Sequence, residues 1–583
     1  MSAQGAAAAS AAGFGRHLRL NGFGWTTLAV VVLLVGVPVV SVLVMSFREG
    51  LPGRATGFTF ANYVEAYTDP ILGTVVLNTV LFALTTVAIA LVFVLPLVWL
   101  INRTDLPFKR LILVLMISGF LVPSFLRAAG WILVFSPQVG LANQLVQTLL
   151  GLAEPPFNIY NIPGMALVQG LSLVPSAFFM LSAAASAMDP ALEEASLATG
   201  ASRLRTTLQV SLPLIWPALL ATLIYLLMLA VSLFEVPAII GWPARIFVLS
   251  SLVYFAVTPN TGLPSYGLAG AYGALMAGLG LLLAFVYFRV VRQTRRYQIV
   301  TGRGYRPSMV PLGRWKVPAL AFVALFLFME LVLPLAALLW VSLLPRVQPF
   351  SFEALAQVSL ANYYAIPSYV GWEPFINTAI LVLLAPTFAI VLSVFVSWVV
   401  VRHAFPLRGL LDGLAFLPNA VPHILFAVAL AYLALLFRSW LPIYGTLGII
   451  VLAHGIAFLA YGSRTLNGAI IQIQRELEEA GAVCGSSRLR VLRRIVLPLI
   501  SRAVFNAWLW IGLLSYREVT IALVLTSAGN IVLATLIWQL WTNGLAPEVG
   551  ALGVLFMLAA VVVSWLAFGV FARALGAPST TSS

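Results

Sequence analysis

Long apolar stretches separated by short polar loops dominate the pattern of hydrophobic and polar positions along this chain. A helix needs about 20 apolar residues to cross the hydrocarbon core of a bilayer, where every backbone amide must be bonded internally. By this criterion the pattern predicts an all-α polytopic membrane protein with twelve transmembrane helices. The predicted spans lie near residues 25–47, 73–101, 111–136, 162–187, 214–237, 266–289, 317–344, 374–401, 410–436, 446–465, 501–525 and 549–572.

Composition and charge agree with a chain surrounded by lipid. Hydrophobic residues make up 61% of the 583 residues and charged residues only 9%, whereas soluble proteins carry about 25% charged residues. The net charge of +14 comes from Arg in short loops between apolar stretches, not from a basic face as in a nucleic-acid-binding domain. Because the Arg residues concentrate in alternate loops, the positive-inside rule predicts that both termini are cytoplasmic. We therefore expect a lipid bilayer and no nucleic acid as partner.

Short motifs recur along the chain at a nearly constant distance. Ala61-Asn62-Tyr63 recurs as Ala361-Asn362-Tyr363, Asn78-Thr79 as Asn377-Thr378, and Val122-Pro123 as Val421-Pro422. The offset is 299 or 300 residues (for example, 377 − 78 = 299). Six spans are therefore followed by six more in the same orientation. A parallel repeat of this kind implies a pseudo-two-fold axis along the membrane normal.

The repeat predicts the domain organisation. We expect a first six-helix domain at residues 25–291 and a second at residues 317–572. The segment 292–316 is polar, basic and rich in Gly and Pro, which indicates a cytoplasmic linker. Residues 1–24 and 573–583 are then cytoplasmic tails.

The loop between the fourth and fifth spans of each half contains a second repeated motif. The first copy consists of Glu194-Ala195-Ser196, Gly200, Val210 and Leu212-Pro213, and the second of Glu479-Ala480-Gly481, Gly485, Ile495 and Leu497-Pro498. Glycine is well suited to end a helix in the left-handed conformation. The spacing therefore predicts two short helices that meet at a bend at the glycine. Such a rigid elbow in the cytoplasm is suited to transmitting force from a partner outside the bilayer.

Both loops resemble the EAA motif of binding-protein-dependent ABC importer permeases. In that family the motif forms a coupling helix that docks on an ATPase subunit. The matching positions are Glu194, Ala195, Gly200, Leu212 and Pro213 in the first loop and Glu479, Ala480, Gly485, Leu497 and Pro498 in the second. Ser196 and Gly481 depart from the usual Ala, although both are small. The alternative is a pair of amphipathic surface loops unrelated to any ATPase.

The resemblance implies a fused two-domain permease of the bacterial inner (plasma) membrane. Its partners would be two ABC ATPase subunits on the cytoplasmic face and an extracytoplasmic substrate-binding protein. A phosphate-binding loop requires Gly-Lys followed by Ser or Thr, but Lys109 and Lys316 follow Phe108 and Trp315. We therefore predict that the chain is not an enzyme and binds no cofactor or metal. ATP and Mg belong to the partner subunit.

The substrate is predicted from a narrower resemblance. The fused arrangement and residues 516–525 are most similar to the ferric-iron branch of the family, which implies ferric iron as substrate. Importers of thiamine, polyamines, phosphonates and other small organic solutes are related alternatives. A different class is a twelve-helix secondary transporter driven by an ion gradient, with Glu235 or Glu518 as its proton site. The loop 102–110 lacks the Gly-rich Asp-Arg signature of that class.

Four ionisable residues at predicted membrane depth are candidates for a translocation path or gate: Arg127, Glu235, Arg517 and Glu518. Such residues are costly in a bilayer and are functional candidates for that reason. The two glutamates occupy near-equivalent positions in the two halves. The alternative is that Arg127 or Arg517 forms an interhelical ion pair with one of them. Glu330, in the seventh span, stands alone in the sequence and suggests no role.

Overall fold

The computed structural model describes residues 22–54, 57–186, 190–259, 261–294 and 309–574. Regular structure in these ranges is helical, and the predicted all-α fold class is confirmed. Seven continuous helices in the described ranges are long and apolar enough to cross a membrane, or up to twelve if each bent helix pair counts as one span. Most of the predicted linker and tails lies outside the described residues.

Each predicted span coincides with one helix or with two helices that meet at a bend. In chain order these helices are Gly22–Ser46, Leu72–Arg103, Lys109–Leu121 with Ser124–Phe135, Ile162–Ser186, Leu212–Ser232, Tyr266–Thr294, Gly313–Ser342, Glu373–Arg402, Arg408–Asn419 with His423–Leu436, Leu447–Ala457 with Leu459–Ile471, Ser501–Arg517, and Ala546–Ala574. Between them lie Ala61–Thr68, Leu141–Leu150, Pro190–Ala198, Arg203–Thr206, Leu249–Val257, Phe352–Ala356, Ala361–Val370, Arg475–Val483, Arg488–Val491, Thr520–Leu525 and Leu533–Thr542.

The third and ninth spans are sharply bent, a feature that the apolar pattern did not predict. The bends measure 96° and 104°, and each lies at a repeated Val-Pro pair. Pro123 and Pro422 have nearly the same extended backbone, with φ of −56° and −54° and ψ of 138° and 134°. Proline has no N–H, and it disfavours a helical residue before it. The helix therefore stops at each Val-Pro pair and restarts in a new direction.

Two short apolar helices follow the fifth span in the chain, and two more follow the eleventh; neither pair was predicted. The first comprises Pro237–Ala244 and Leu249–Val257, bent by 88°, and the second Thr520–Leu525 and Leu533–Thr542. The predicted spans 214–237 and 501–525 were therefore too long, because their helices end at Ser232 and Arg517. Each of these helices is too short to show a periodicity that separates it from the preceding span.

The asparagine of the repeated Asn-Thr pair binds the segment that connects the two helices of each pair. Asn78 donates a 3.2 Å side-chain hydrogen bond to the carbonyl of Phe247, and Asn377 donates a 3.0 Å bond to that of Ile531. A second repeat, Ala-Asn-Tyr, acts at the ends of the first and seventh spans. Asn62 donates 2.9 Å bonds to two carbonyls at the end of the first span, and Asn362 makes the same two bonds at 2.8 Å. Both motifs thus recur because backbone groups without helical partners need donors in each half.

The chain forms two compact units that are discontinuous in sequence. One contains residues 1–62, 263–271 and 375–532, and the other residues 63–262, 272–374 and 533–583. The first span is therefore grouped with the eighth to eleventh spans, and the seventh span with the second to fifth. These units cross the boundary between the sequence repeats. The predicted domain limits, 25–291 and 317–572, describe the repeats and stay a prediction.

Candidate functional site

Each loop between the fourth and fifth spans of a half consists of a helix, a glycine bend and a second helix. We call residues 190–213 the first EAA loop and residues 475–498 the second EAA loop. Gly200 follows the helix Pro190–Ala198 with φ of +84°, and Gly485 follows Arg475–Val483 with φ of +76°. The predicted left-handed glycine and the predicted bend are therefore confirmed.

The same backbone hydrogen bonds close the helix end in both loops. The amide of Ala201 donates to the carbonyl of Ser196 at 3.3 Å, and the amide of Ser486 donates to that of Gly481 at 3.1 Å. A bond across five residues at a left-handed glycine is the Schellman arrangement. The two EAA loops, which lie far apart in the sequence, thus end their first helix in the same way.

The small third residue of each motif lies beneath the second helix of its loop. The hydroxyl of Ser196 is 2.9 Å from that of Thr206. At Gly481, an added Cβ would lie 2.7 Å from Cδ1 of Ile495, closer than carbon atoms can pack. The third motif residue of each loop is therefore in close contact with the segment that follows the bend, where a large side chain would not fit.

The second helix of each loop leads into the next span through a π-helical turn. These turns cover Thr207–Ser211 and Leu492–Val496, and each directly precedes the Leu-Pro pair of its motif. In the second loop, Leu492 and Val496 belong to a buried apolar cluster with Trp398 and Ile470. The turn of this loop therefore packs against the eighth and tenth spans, which contain Trp398 and Ile470.

The residues predicted to dock on an ATPase lie largely at the surface of the two EAA loops. Exposed positions are Glu194, Ala195, Gly200 and Pro213 in the first loop and Glu479, Ala480, Gly485 and Pro498 in the second, whereas Leu212 and Leu497 are half-buried. Each loop thus presents a matching exposed surface. Docking itself stays a prediction.

Arg127 forms a buried ion pair with Glu330, the residue for which the sequence suggested no role. The guanidinium is 3.1 Å from the carboxylate, and the side chains are 1% and 0% exposed. Arg127 also donates to the hydroxyl of Ser172 and, at 2.6 Å, to the carbonyl of Gly119 beside the Val-Pro bend. The expectation that Glu330 stands alone was wrong. The two residues lie far apart in sequence, and only helix packing brings them together.

Glu235 and Glu518 lie just beyond the fifth and eleventh spans, not within them as predicted, since those helices end at Ser232 and Arg517. The carboxylate of Glu235 accepts a 3.1 Å hydrogen bond from the amide of Phe125. Phe125 lies in the first turn of the helix that follows the bend in the third span. The positive end of a helix dipole stabilises a carboxylate at that position.

Glu518 occupies the corresponding place in the second half. One carboxylate oxygen is 3.4 Å from Nδ1 of His423, the first residue of the helix that follows the bend in the ninth span. The other accepts a 3.3 Å bond from the amide of Ile521. Arg517, the last residue of its helix, is half-buried. Each half therefore places one glutamate at the helix restart, and a role of these residues in translocation stays a prediction.

These features define a polytopic α-helical membrane protein with a six-helix repeat and two matched EAA loops. Residues 389–577 match the family described as the binding-protein-dependent transport system inner membrane component. The matched residues include the second EAA loop. The resemblance predicted from the sequence is confirmed.

Curated relatives include ferric transport permeases. The ferric transport system permease protein FbpB of Actinobacillus pleuropneumoniae is 25% identical over 67% of this chain and 56% of that protein. A putative FbpB 1 of Haemophilus influenzae is 24% identical over 67% of this chain and 60% of that protein. The chain thus spans less than two thirds of the length of these relatives. The putrescine permease PotI of Escherichia coli is 29% identical over 33% of this chain and 69% of that protein.

Among solved structures, a bacterial ABC transporter that imports the polysaccharide alginate is similar at 18% identity, with a TM-score of 0.34. The similarity covers 45% of this chain and 97% of that chain.

Proposed function

We propose that this chain is the transmembrane permease subunit of an ATP-driven, binding-protein-dependent importer and forms its translocation path. The observation that carries the proposal is the pair of EAA loops. Both have the same helix–glycine–helix geometry, a small third motif residue and the same exposed motif positions. The family match over residues 389–577 supports it independently.

In this proposal, two ABC ATPase subunits bind the EAA loops on the cytoplasmic face of the bacterial inner membrane, where both chain termini also lie. These subunits hold ATP and Mg and carry out the hydrolysis; the permease is not an enzyme and needs no cofactor. A substrate-binding protein delivers cargo at the opposite face. Closure of the ATPase pair moves the two loops, and the loops move the helices on which they pack.

Ferric iron is the substrate that we propose, because FbpB relatives of this chain are named as ferric transport permeases. The PotI relative, named for putrescine transport, makes a polyamine the second candidate. The binding protein would select the cargo, so the permease needs no metal-ligand cluster of its own.

Reconstitution tests the function directly. The permease is purified with its ATPase, inserted into liposomes and supplied with the binding protein and radiolabelled ferric iron or putrescine. We expect uptake that requires both ATP and the binding protein. Uptake that follows an imposed proton gradient and needs no ATPase would contradict the proposal. Uptake of putrescine and not iron would retain the importer and change its substrate.

A further inference from the structure

An arginine at the end of the second span joins three elements near the first EAA loop. The Arg103 guanidinium is 3.4 Å from the carboxylate of Glu193, in the first helix of the loop. It also donates a 3.1 Å hydrogen bond to the carbonyl of Ala185, in the last turn of the fourth span. Glu193 in turn accepts a 2.6 Å bond from the hydroxyl of Ser211, in the π-helical turn.

The second half builds the same arrangement at the end of the eighth span. The Arg402 guanidinium is 2.8 Å from the carboxylate of Glu478, in the first helix of the second EAA loop. It donates to the carbonyls of Ile470 and Ile473, at 2.8 and 2.5 Å, where the tenth span ends. We call the Arg103–Glu193 and Arg402–Glu478 pairs the Arg–Glu tethers.

The two tethers correspond residue by residue. The arginines keep the offset of the span repeat (402 − 103 = 299), and the glutamates keep that of the EAA loops (478 − 193 = 285). The carbonyls of Ala185 and Ile470 differ by the same 285 residues. A chance surface contact would not reproduce three partners at matching positions in two repeats.

The residues of the Arg–Glu tethers are more buried than those of ordinary surface ion pairs. The arginine side chains are only 10% and 8% exposed, and the glutamate side chains 20% and 16%. Exposed ion pairs contribute little because solvent screens them. Here the planar guanidinium binds a carboxylate and the free carbonyls of a helix end at once, which a lysine cannot reproduce.

We propose that Arg103 and Arg402 are positioning residues that fix the first helix of each EAA loop to two spans. The inference rests on the proposed function. The second helix of the first loop runs on into the fifth span, and that of the second loop meets the eleventh span at a 77° bend. The tether, in contrast, fixes the first helix to the second and fourth spans, or to the eighth and tenth. A force on the exposed motif residues is therefore shared by three spans of a half.

The test compares Arg103→Gln with Arg402→Gln, singly and together, in the full complex in liposomes. Three quantities are measured: ATPase subunits retained, ATP hydrolysis, and substrate taken up per ATP hydrolysed. We expect the double variant to keep its ATPase subunits and to hydrolyse ATP, while uptake per ATP falls about tenfold, within the usual range of coupling between sites. Arg464→Gln is the control, because its 3.1 Å pair with Asp412 joins the ninth and tenth spans and includes no residue of either EAA loop.

Unchanged uptake per ATP in the double variant would overturn the inference, and so would loss of the ATPase subunits from a folded permease. If the double variant does not fold, Arg103→Lys with Arg402→Lys replaces it. This pair keeps the charge but not the planar fork, and we expect a smaller drop in uptake per ATP; no drop would again overturn the inference. Failure of the unmodified complex to show ATP-dependent uptake would instead contradict the proposed function.

Discussion

Arg127 and Glu330 form an ion pair, 3.1 Å long and buried, that joins the third span to the seventh span inside one compact unit. The pair thereby connects the two halves of the sequence. Glu330 lies at the centre of the π-helical turn Phe328–Val332, a type of helix irregularity that is rare and frequent at functional sites.

The sequence repeat shows which residues occupy the positions equivalent to Arg127 and Glu330. The residue equivalent to Arg127 is Phe426 (127 + 299 = 426). The first span has its own π-helical turn, Val32–Gly36, which corresponds to Phe328–Val332 and has Leu34 at the place of Glu330. The positions equivalent to the two charged residues are thus both apolar, as expected if either charge alone would be costly in the interior.

We predict that loss of one charge destabilises the protein more than loss of both. Glu330→Leu should lower the free energy of unfolding by roughly 3–5 kcal/mol, because it leaves a buried guanidinium unpaired. The double variant Arg127→Phe with Glu330→Leu introduces the residues found at the equivalent positions, Phe426 and Leu34, and should recover most of that loss. Thermal unfolding in detergent measures both. A double variant less stable than Glu330→Leu would contradict the interpretation.

For the glutamates at the helix restarts, we predict a loss of transport without loss of the fold. Glutamine at position 235 or 518 can still accept the amide hydrogen bond but does not carry charge, so stability should change by about 1 kcal/mol or less. We expect Glu235→Gln and Glu518→Gln to lower uptake by about tenfold, since charges at membrane depth are functional candidates. Liposome uptake and thermal unfolding are measured side by side. Normal uptake by both variants would remove these residues from the translocation path and from the gate.

The left-handed glycines of the EAA loops should be sensitive to any side chain. An L-residue in the left-handed conformation costs roughly 1–2 kcal/mol, so Gly200→Ala and Gly485→Ala should distort the bend. We expect less ATPase to co-purify with each variant. Gly468→Ala is the control, because Gly468 lies in the helix Leu459–Ile471 with open space around an added Cβ. Equal ATPase recovery from all three variants would show that the bend is not needed for docking.

His403, in the loop after the eighth span, should make stability depend on pH. Burial lowers the pKa of His403; the carbonyl of Trp398 and the Glu478 carboxylate oppose the shift, and Arg488 adds to it. A lowered pKa means that the unfolded chain binds the proton more readily. The contribution of His403 to stability is therefore complete above the pKa of histidine in the unfolded chain, near 6.5, and is lost as the pH drops below that value.

The variant His403→Phe keeps an aromatic ring beside Phe23 and Trp398 but has no group that can bind a proton. We expect the unmodified protein to lose more stability than the variant between about pH 7.5 and about pH 5.5. Thermal unfolding across this range measures the difference. Parallel curves for the two proteins would show that His403 does not contribute.

The sequence by itself determined the properties that depend on a local stretch of chain. Apolar length predicts the spans, because a bilayer requires each backbone amide to be bonded within its own helix. The EAA loops were predicted down to the left-handed conformation of Gly200 and Gly485, since helix ends are set by nearby residues. The Val-Pro repeat was visible too, but not the bends of about 100° that it produces.

Only the tertiary structure decided which distant groups meet. The partner of Arg127 lies at position 330, and that of Arg103 at position 193; nothing in the chain between them indicates either contact. The short helices after the fifth and eleventh spans were also missed, which misplaced Glu235 and Glu518. The physical reason is common to all of these. A buried charge is tolerated wherever packing supplies a partner, and packing depends on helices that are remote in sequence.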